Sequence, residues 1–238
     1  MPVDVLDDGR KRISAPLSDD DVRALEIGDV VLVNGTVFAA RDAAHKRMVE
    51  MLDRGEELPF DIRGQIVYYV GPTPERPGNV TGSAGPTTAS RMDRWTPRLL
   101  ELGLKGIMGK GGRGPAIRAE LEKHTAVYMA ALGGGGALSA LTVRGQQVIA
   151  FEDLQTEAIR RMELEDFPVW VVNDCRGRDF YAETTKPWRK NDLLPEALRV
   201  PTDEWAGKNG GGCCAGSSTR SGCTFGTSSQ TGTSTTRP

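Results

Sequence analysis

Cysteine is scarce in this chain of 238 residues: there are four, and Cys213, Cys214 and Cys223 crowd the last stretch, leaving only Cys175 in the body. A disulfide framework is therefore not what holds the body together. No C-x-x-C pair and no Cys/His group with metal-ligand spacing occurs before residue 200. Any metal cluster the protein uses would have to be ligated mainly by another chain. Neither sign of charge dominates, with 30 Lys and Arg against 32 Asp and Glu. That balance gives no support for a nucleic-acid footprint, which usually needs a basic face. No apolar run approaches the length required to cross a bilayer. The opening Met-Pro-Val-Asp-Val-Leu-Asp-Asp lacks the charged and apolar regions of a secretory signal. The expectation is a cytoplasmic protein with a core of its own, built as one domain or one domain with an appendage, and with no membrane or nucleic-acid partner.

What is present reads as mixed α/β. Residues 1–15 are polar and read as loose, with 1–12 set apart as a flexible N-terminus. Ser18-Asp19-Asp20-Asp21 reads as a helix start, a capping hydroxyl followed by acids at the positive end of the dipole. Asp29–Val33 is β-branched and apolar, hence a strand, which Gly35–Phe38 either extends or follows as a second one. Arg41–Arg54 reads as a helix and Gln65–Val70 as a strand. A turn-rich stretch, Thr73–Pro86, leads to a predicted helix Thr88–Leu102 with Gly103 at its C-cap. Lys105–Met108 reads as a strand, Gly109–Gly114 as a glycine loop, and Pro115 opens the next helix. Ala126–Ala131 is strand-like, and Val148–Phe151 and Val169–Val172 are predicted strands around a predicted helix Leu154–Leu164. Strand, glycine loop and helix alternate from Thr88 onward, which favours buried sheet covered by helices. Residues 207–238 are Gly, Ser and Thr with almost no aliphatic side chains. Such a segment cannot offset its ordering entropy and reads as a disordered tail, either native or an artefact of reading frame.

Three junctions could carry chemistry: Arg41-Asp42-Ala43-Ala44-His45-Lys46, Gly85-Pro86-Thr87-Thr88 running to Arg91-Met92-Asp93, and Gly109-Lys110-Gly111-Gly112-Arg113-Gly114. Glycine allows a sharp turn and a close approach to a ligand, and the first helical turn behind it offers unpaired N–H groups. Each junction carries a cation: Arg41, Arg91 or Lys110. If Thr87 lies in the first helical turn, its hydroxyl and the Arg91 guanidinium share one face. Helix-start amides with Arg forks suit small carboxylates or phosphates. A single loop cation is usually a solvated charge, but three in like junctions favour a site. The plainer roles go to other residues. His45 reads as a helix-surface or packing residue, His124 as structural, Asp42 as a first-turn acid, Asp93 as a partner of Arg94 or Arg91, and Cys175 as a small buried residue. The third junction also matches G-x-G-x-x-G, the dinucleotide fingerprint. The ribose-binding acid expected about 20 residues on is missing from Ala130-Ala131-Leu132-Gly133-Gly134. Nucleotide binding is therefore not favoured.

On these motifs the chain, from about Ile13 to about Tyr181, resembles the β-type catalytic domain of class I fumarate hydratases and tartrate dehydratases. The stretch from Glu152-Asp153-Leu154 through Glu157-Ala158-Ile159-Arg160-Arg161 to Asp166-Phe167-Pro168 is more similar to the fumarase branch. Lys110-Gly111-Gly112-Arg113-Gly114 is a form that the tartrate branch also uses. The resemblance implies a swivelling β/β/α domain over residues 13–206, with mixed sheets covered by helices. It implies a [4Fe–4S] cluster held by a separate α-type subunit, with no metal ligand in this chain, and an α2β2 assembly. Arg41, Arg91 and Lys110 would bind substrate carboxylates, Thr87 would be the candidate base, and Thr88 would lie beside it. Thr87 and Lys110 would be the catalytic pair. The implied reaction is reversible hydration of fumarate to malate. The alternatives are dehydration of tartrate or a substituted dicarboxylate, and a non-catalytic anion-binding partner domain.

Overall fold

The computed structural model describes residues 3–188. The expectations for the tail 207–238, for Cys213, Cys214 and Cys223 and for a boundary at residue 206 lie outside the described residues. In chain order the elements are β1 (Asp4–Val5), β2 (Lys11–Ser14), α1 (Asp19–Arg23), β3 (Val30–Ala39), α2 (Asp42–Asp53) and β4 (Ile66–Tyr68). A 3-10 turn (Ala89–Met92) then precedes α3 (Thr96–Glu101), β5 (Gly106–Gly109), α4 (Pro115–Lys123), β6 (Val127–Ala131), α5 (Gly136–Ala140) and β7 (Val143–Ala150). A second 3-10 segment (Glu152–Glu157) leads into β8 (Ile159–Asn173) and α6 (Phe180–Thr185), and a last 3-10 turn spans Lys186–Trp188.

The strands form one mixed sheet in the order β1-β2-β3-β4-β5-β6-β8-β7. Neighbours from β2 to β6 run parallel. β8 is antiparallel to β6 and β7, and it also pairs with β3 from Val30↔Trp170 to Ala39↔Arg160. That extra pairing closes a ring, β3-β4-β5-β6-β8. Inside it lies one core, with Ile66, Tyr68, Met108, Val127 and Met129 facing Val33, Leu164 and Val169. The alternate residues Val67, Tyr69, Ile107 and Tyr128 face a second core under α2, α3 and α4, with Met48, Leu99 and Ile117. Strands buried on both faces read as continuous apolar runs, as β4 to β6 do here. The result is one mixed sheet that closes on itself, with α2, α3 and α4 packed against it.

Several local expectations hold in atomic detail. Ser18 caps α1, its Oγ accepting from the Asp21 N–H at 3.2 Å while Asp21 Oδ2 accepts from the Ser18 N–H at 2.9 Å, a capping box. Pro115 starts α4, and Gly103 follows α3 with φ +98°, the conformation a helix stop demands.

Four expectations are corrected. The residues read as loose or flexible at the N-terminus form β1 and β2, because Ile13 drops into the ring core while β2 pairs with β3. The helix expected over Thr88–Leu102 is broken into the 3-10 turn and α3. Pro97 has no N–H to donate to the preceding turn, so a helix cannot run through it. The helix expected over Leu154–Leu164 is instead the 3-10 segment followed by β8. Ile159, Met162 and Leu164 turn inward, and pairing with β3 and β7 overrides the helix preference of the intervening Glu and Arg residues. The strand expected at Val148–Phe151 begins earlier, at Val143, and ends before Phe151.

Candidate functional site

The three junctions come together at the carboxyl ends of β3, β4 and β5, which are adjacent and parallel. Such strand ends are where open α/β sheets bind ligands. Arg41 follows β3 as the N-cap residue of α2. The Thr87 N–H donates to the Tyr69 carbonyl, just past β4, at 2.7 Å. Lys110 follows β5 directly, its N–H donating to the Thr87 carbonyl (3.1 Å) and its own carbonyl accepting from the Ala89 N–H (2.9 Å). Thr88 and Lys110 are paired as a parallel bridge. The segment 87–89 therefore extends the sheet beyond β4 and β5. Gly109 permits the approach, since a Cβ there would lie 3.1 Å from that of Ala89. Thr87 is thus extended backbone ahead of the 3-10 turn, and the shared helix face expected for Thr87 and Arg91 does not exist.

The cations are unequal. Arg91 Nε donates to Asp42 Oδ1 at 2.9 Å, and Asp42 Oδ2 lies 4.0 Å from Arg41 Nε. Arg41 Nη2 lies 3.2 Å from Glu157 Oε1. Lys110 is exposed, and among the described residues its ammonium has no ion pair or hydrogen bond. Three cations thus face two carboxylates, which leaves one positive charge unmatched, at Lys110. Asp42, expected only to offset the α2 dipole, also links the two arginines. The sequence alone gives Glu157 no role, because nothing local signals a pairing across the ring.

Beneath this surface lies a buried support. Arg113, within the glycine loop, has a fully buried side chain. Its Nε lies 2.8 Å from Asp93 Oδ1 as an ion pair without hydrogen-bond alignment, and its Nη2 donates to Thr96 Oγ1 at 3.0 Å. The guanidinium sits between the Tyr69 and Tyr128 rings, at 5.6 and 5.2 Å from their centroids. Tyr128 Oη donates to the Gly111 carbonyl at 2.7 Å. The expected pairing of Asp93 with Arg94 or Arg91 is therefore corrected. Asp93 takes Arg113, the cation that burial brings to it. Burial raises the Asp93 pKa, and the Arg113 charge opposes that shift. This support ties the Lys110 loop to the turn that carries Arg91.

Of the two readings of His45, helix surface and packing, the structure takes packing. It is fully buried, with Nδ1 2.8 Å from the Arg41 carbonyl and its ring edge-on to Tyr69. Burial lowers its pKa from the usual 6.5 to about 4, helped by the Arg113 charge and opposed by the Arg41 carbonyl and Asp42. The neutral ring is the folded form, so its contribution is complete above pH 6.5 and is lost as pH falls from 6.5 toward about 4. Over that interval the wild type is expected to lose about 3 kcal/mol of unfolding free energy that a His45→Gln variant keeps. Urea melts of both proteins at a series of pH values check this. His124 lies 3.2 Å from Glu120, and Cys175 is half-buried with Sγ 4.0 Å from the Val22 carbonyl.

A cavity of about 310 Å3 opens beside Lys110, walled by Leu132, Trp170, Phe180 and Tyr181 among others. Arg41, Thr87, Thr88 and Arg91 do not line it. Among the described residues no group of three or more His, Cys, Asp or Glu is placed to hold a metal ion. No described helix is long and apolar enough to cross a membrane.

A family model described as "Fumarase C-terminus" matches residues 7–184. Fumarate hydratase 2 of Leishmania major is 38% identical over 160 residues, covering 66% of this chain and 28% of that protein. The aerobic class I fumarate hydratase of Escherichia coli strain K12 is 37% identical over 153 residues, covering 63% of this chain and 28% of its own length. A protein named putative L(+)-tartrate dehydratase subunit beta, from Methanocaldococcus jannaschii, is 36% identical over 176 residues, covering 71% of this chain and 90% of its own length. The matched region is thus little more than a quarter of the fumarate hydratases and nearly the whole of the tartrate dehydratase subunit.

Proposed function

The chain belongs to the Fumarase C-terminus family, and from that premise we propose that it is the β-type half of an iron–sulfur hydro-lyase that adds water reversibly to fumarate to give malate. One observation supports the reading: the backbone junctions that bear Arg41, Thr87, Thr88, Arg91 and Lys110 meet at the carboxyl ends of three adjacent parallel strands. The layering of the sheet on itself and on helices supports the swivelling β/β/α reading. The likeness to nearly all of a relative named as a subunit supports pairing with a second catalytic domain, on another chain or the same one.

Among the described residues no group of three or more His, Cys, Asp or Glu is placed to hold a metal ion, and the reading assigns the [4Fe–4S] cluster that the family resemblance implies to an α-type partner, in an α2β2 assembly. When bound there, an open iron would supply Lewis acidity to the hydroxyl. This chain's own residues do the rest of the binding. Arg41 and Arg91 present planar forks to one substrate carboxylate, and Lys110 meets the other with its unmatched charge. Thr87, paired along the backbone with Lys110, is the candidate proton-transfer group at the substrate carbon, with Thr88 beside it. A threonine hydroxyl has no useful basicity in water, so it needs this positive surrounding and a relay to act.

The experiment is anaerobic coexpression with an α-type partner that carries three well-spaced cysteines, followed by a dicarboxylate panel. Fumarate hydration that needs both chains is the expected result. Failure of the mixture to act on any dicarboxylate would remove the enzyme reading. Faster turnover of tartrate than of fumarate would select the second reading, which the relative named as a tartrate dehydratase subunit favours. Turnover that survives without this chain would leave it as a non-catalytic anion-binding partner.

A further inference from the structure

We propose that Glu157 is a positioning residue that fixes Arg41, so that the 3-10 segment Glu152–Glu157 sets the geometry of the first carboxylate clamp. The inference rests on the clamp role given to Arg41 above. The two oxygens of Glu157 do different work. Oε1 lies 3.2 Å from Arg41 Nη2, and Oε2 accepts from the Ala43 N–H at 2.8 Å. Arg41 is the N-cap residue of α2 and makes no side-chain cap of its own, so Glu157 caps that helix from across the fold. One carboxylate therefore holds both the start of α2 and the guanidinium that projects from it. Arg41 and Glu157 are similarly sheltered, at 22% and 24% side-chain exposure, so the pair is only partly screened by solvent.

The rest of the surroundings leave Arg41 little freedom. A Cβ on Gly71 would lie 2.8 Å from both Arg41 Cδ and Nη1 and 2.9 Å from the Thr156 carbonyl. The side chain thus passes through a slot between Gly71 and the 3-10 segment. That segment is held under strain. Phe151 (φ +59°) and Gln155 (φ +53°, ψ −109°) both sit at positive φ without being glycine. Such conformations cost of order 1–3 kcal/mol each and persist only where surrounding contacts impose them. The contacts here are the forked pair from Arg47 to Asp153, 2.7 Å on both arms, and the Arg47 guanidinium 4.9 Å over the Phe151 ring. Both anchor the segment to α2, the helix that Arg41 begins. Gln155, the second of these, lies two positions before Glu157.

The test uses the full chain labelled with 15N and 13C, observed in the arginine side-chain region, with Arg41 assigned by its loss in Arg41→Lys. The readout is the rate at which the two Nη groups of Arg41 interchange by rotation about the Cζ–Nε bond. In Glu157→Gln that rate is expected to rise about tenfold through loss of the charge-assisted contact. Arg91, which is held by Asp42, should be unchanged. An unaltered Arg41 rate overturns the proposal. If Glu157→Gln does not fold, Glu157→Asp is read in the same way. Its shorter reach is expected to give about a threefold rise, and a wild-type rate again overturns the proposal. In the reconstituted complex Glu157→Gln is expected to raise KM for fumarate about tenfold with kcat little changed. Faster rotation with an unchanged KM in an active complex would also overturn it. A wild-type complex without turnover would sink the clamp reading instead, and the rotation rates would still report whether Glu157 holds Arg41.

Discussion

Replacing Lys110 with alanine is expected to lower kcat/KM of the reconstituted enzyme by about a thousandfold, the upper range for loss of one charged contact to a reacting substrate. The thermal midpoint of the isolated chain should hardly move. Both expectations come from how Lys110 is held. Its backbone N–H and carbonyl bind Thr87 and Ala89, and alanine keeps both bonds. Its ammonium is exposed and has no partner among the described residues, so truncation leaves no buried charge behind. Arg41 and Arg91 already share Asp42 and Glu157. Lys110 is therefore the cation best able to meet a substrate carboxylate without first giving up a protein one. Steady-state kinetics beside a thermal melt separate the two effects. Near-normal turnover in Lys110→Ala would count against the role.

Arg113→Ala is expected to do the opposite and act first on stability, costing about 3–5 kcal/mol, the usual loss when one partner of a buried ion pair is removed. Arg113 is fully buried beside the Tyr69 and Tyr128 rings, and its removal leaves the largely buried Asp93 carboxylate without its cation. Urea unfolding measures the loss. The double variant Arg113→Met with Asp93→Leu should be less destabilised than Arg113→Ala, because no charge is left unpaired. Equal losses would mean that packing volume, not the uncompensated carboxylate, sets the cost.

Much of this was legible in the sequence where the cause is local. Ser18 with Asp21, Pro115 and Gly103 each act through their own backbone neighbourhood, and each does in the structure what its residue type suggests. The three junctions were visible because glycine and a cation sit together at strand ends. What was not legible depends on residues distant in the chain. The helix preference of the segment before Leu164 loses to pairing with β3, which no window over residues 154–164 can contain. Glu157 gains its meaning only from Arg41 and Ala43. The buried role of Arg113 was hidden because the pattern of glycines around it carries no information about which way its side chain turns. Asp93 was assigned to sequence neighbours for the same reason.

The route taken by β8 has a consequence for biogenesis. β3 pairs along its whole length with β8, from Val30↔Trp170 to Ala39↔Arg160, and β8 also pairs with β6 and β7. During synthesis the ribosome must therefore deliver the chain to about Asn173 before β3 gains its antiparallel neighbour. Until then a long aliphatic strand stands with one edge bare, the condition that invites intermolecular pairing. Contacts of such wide sequence separation also slow folding. A nascent chain stalled short of β8 should accordingly be a client for chaperones, and one released past it should not.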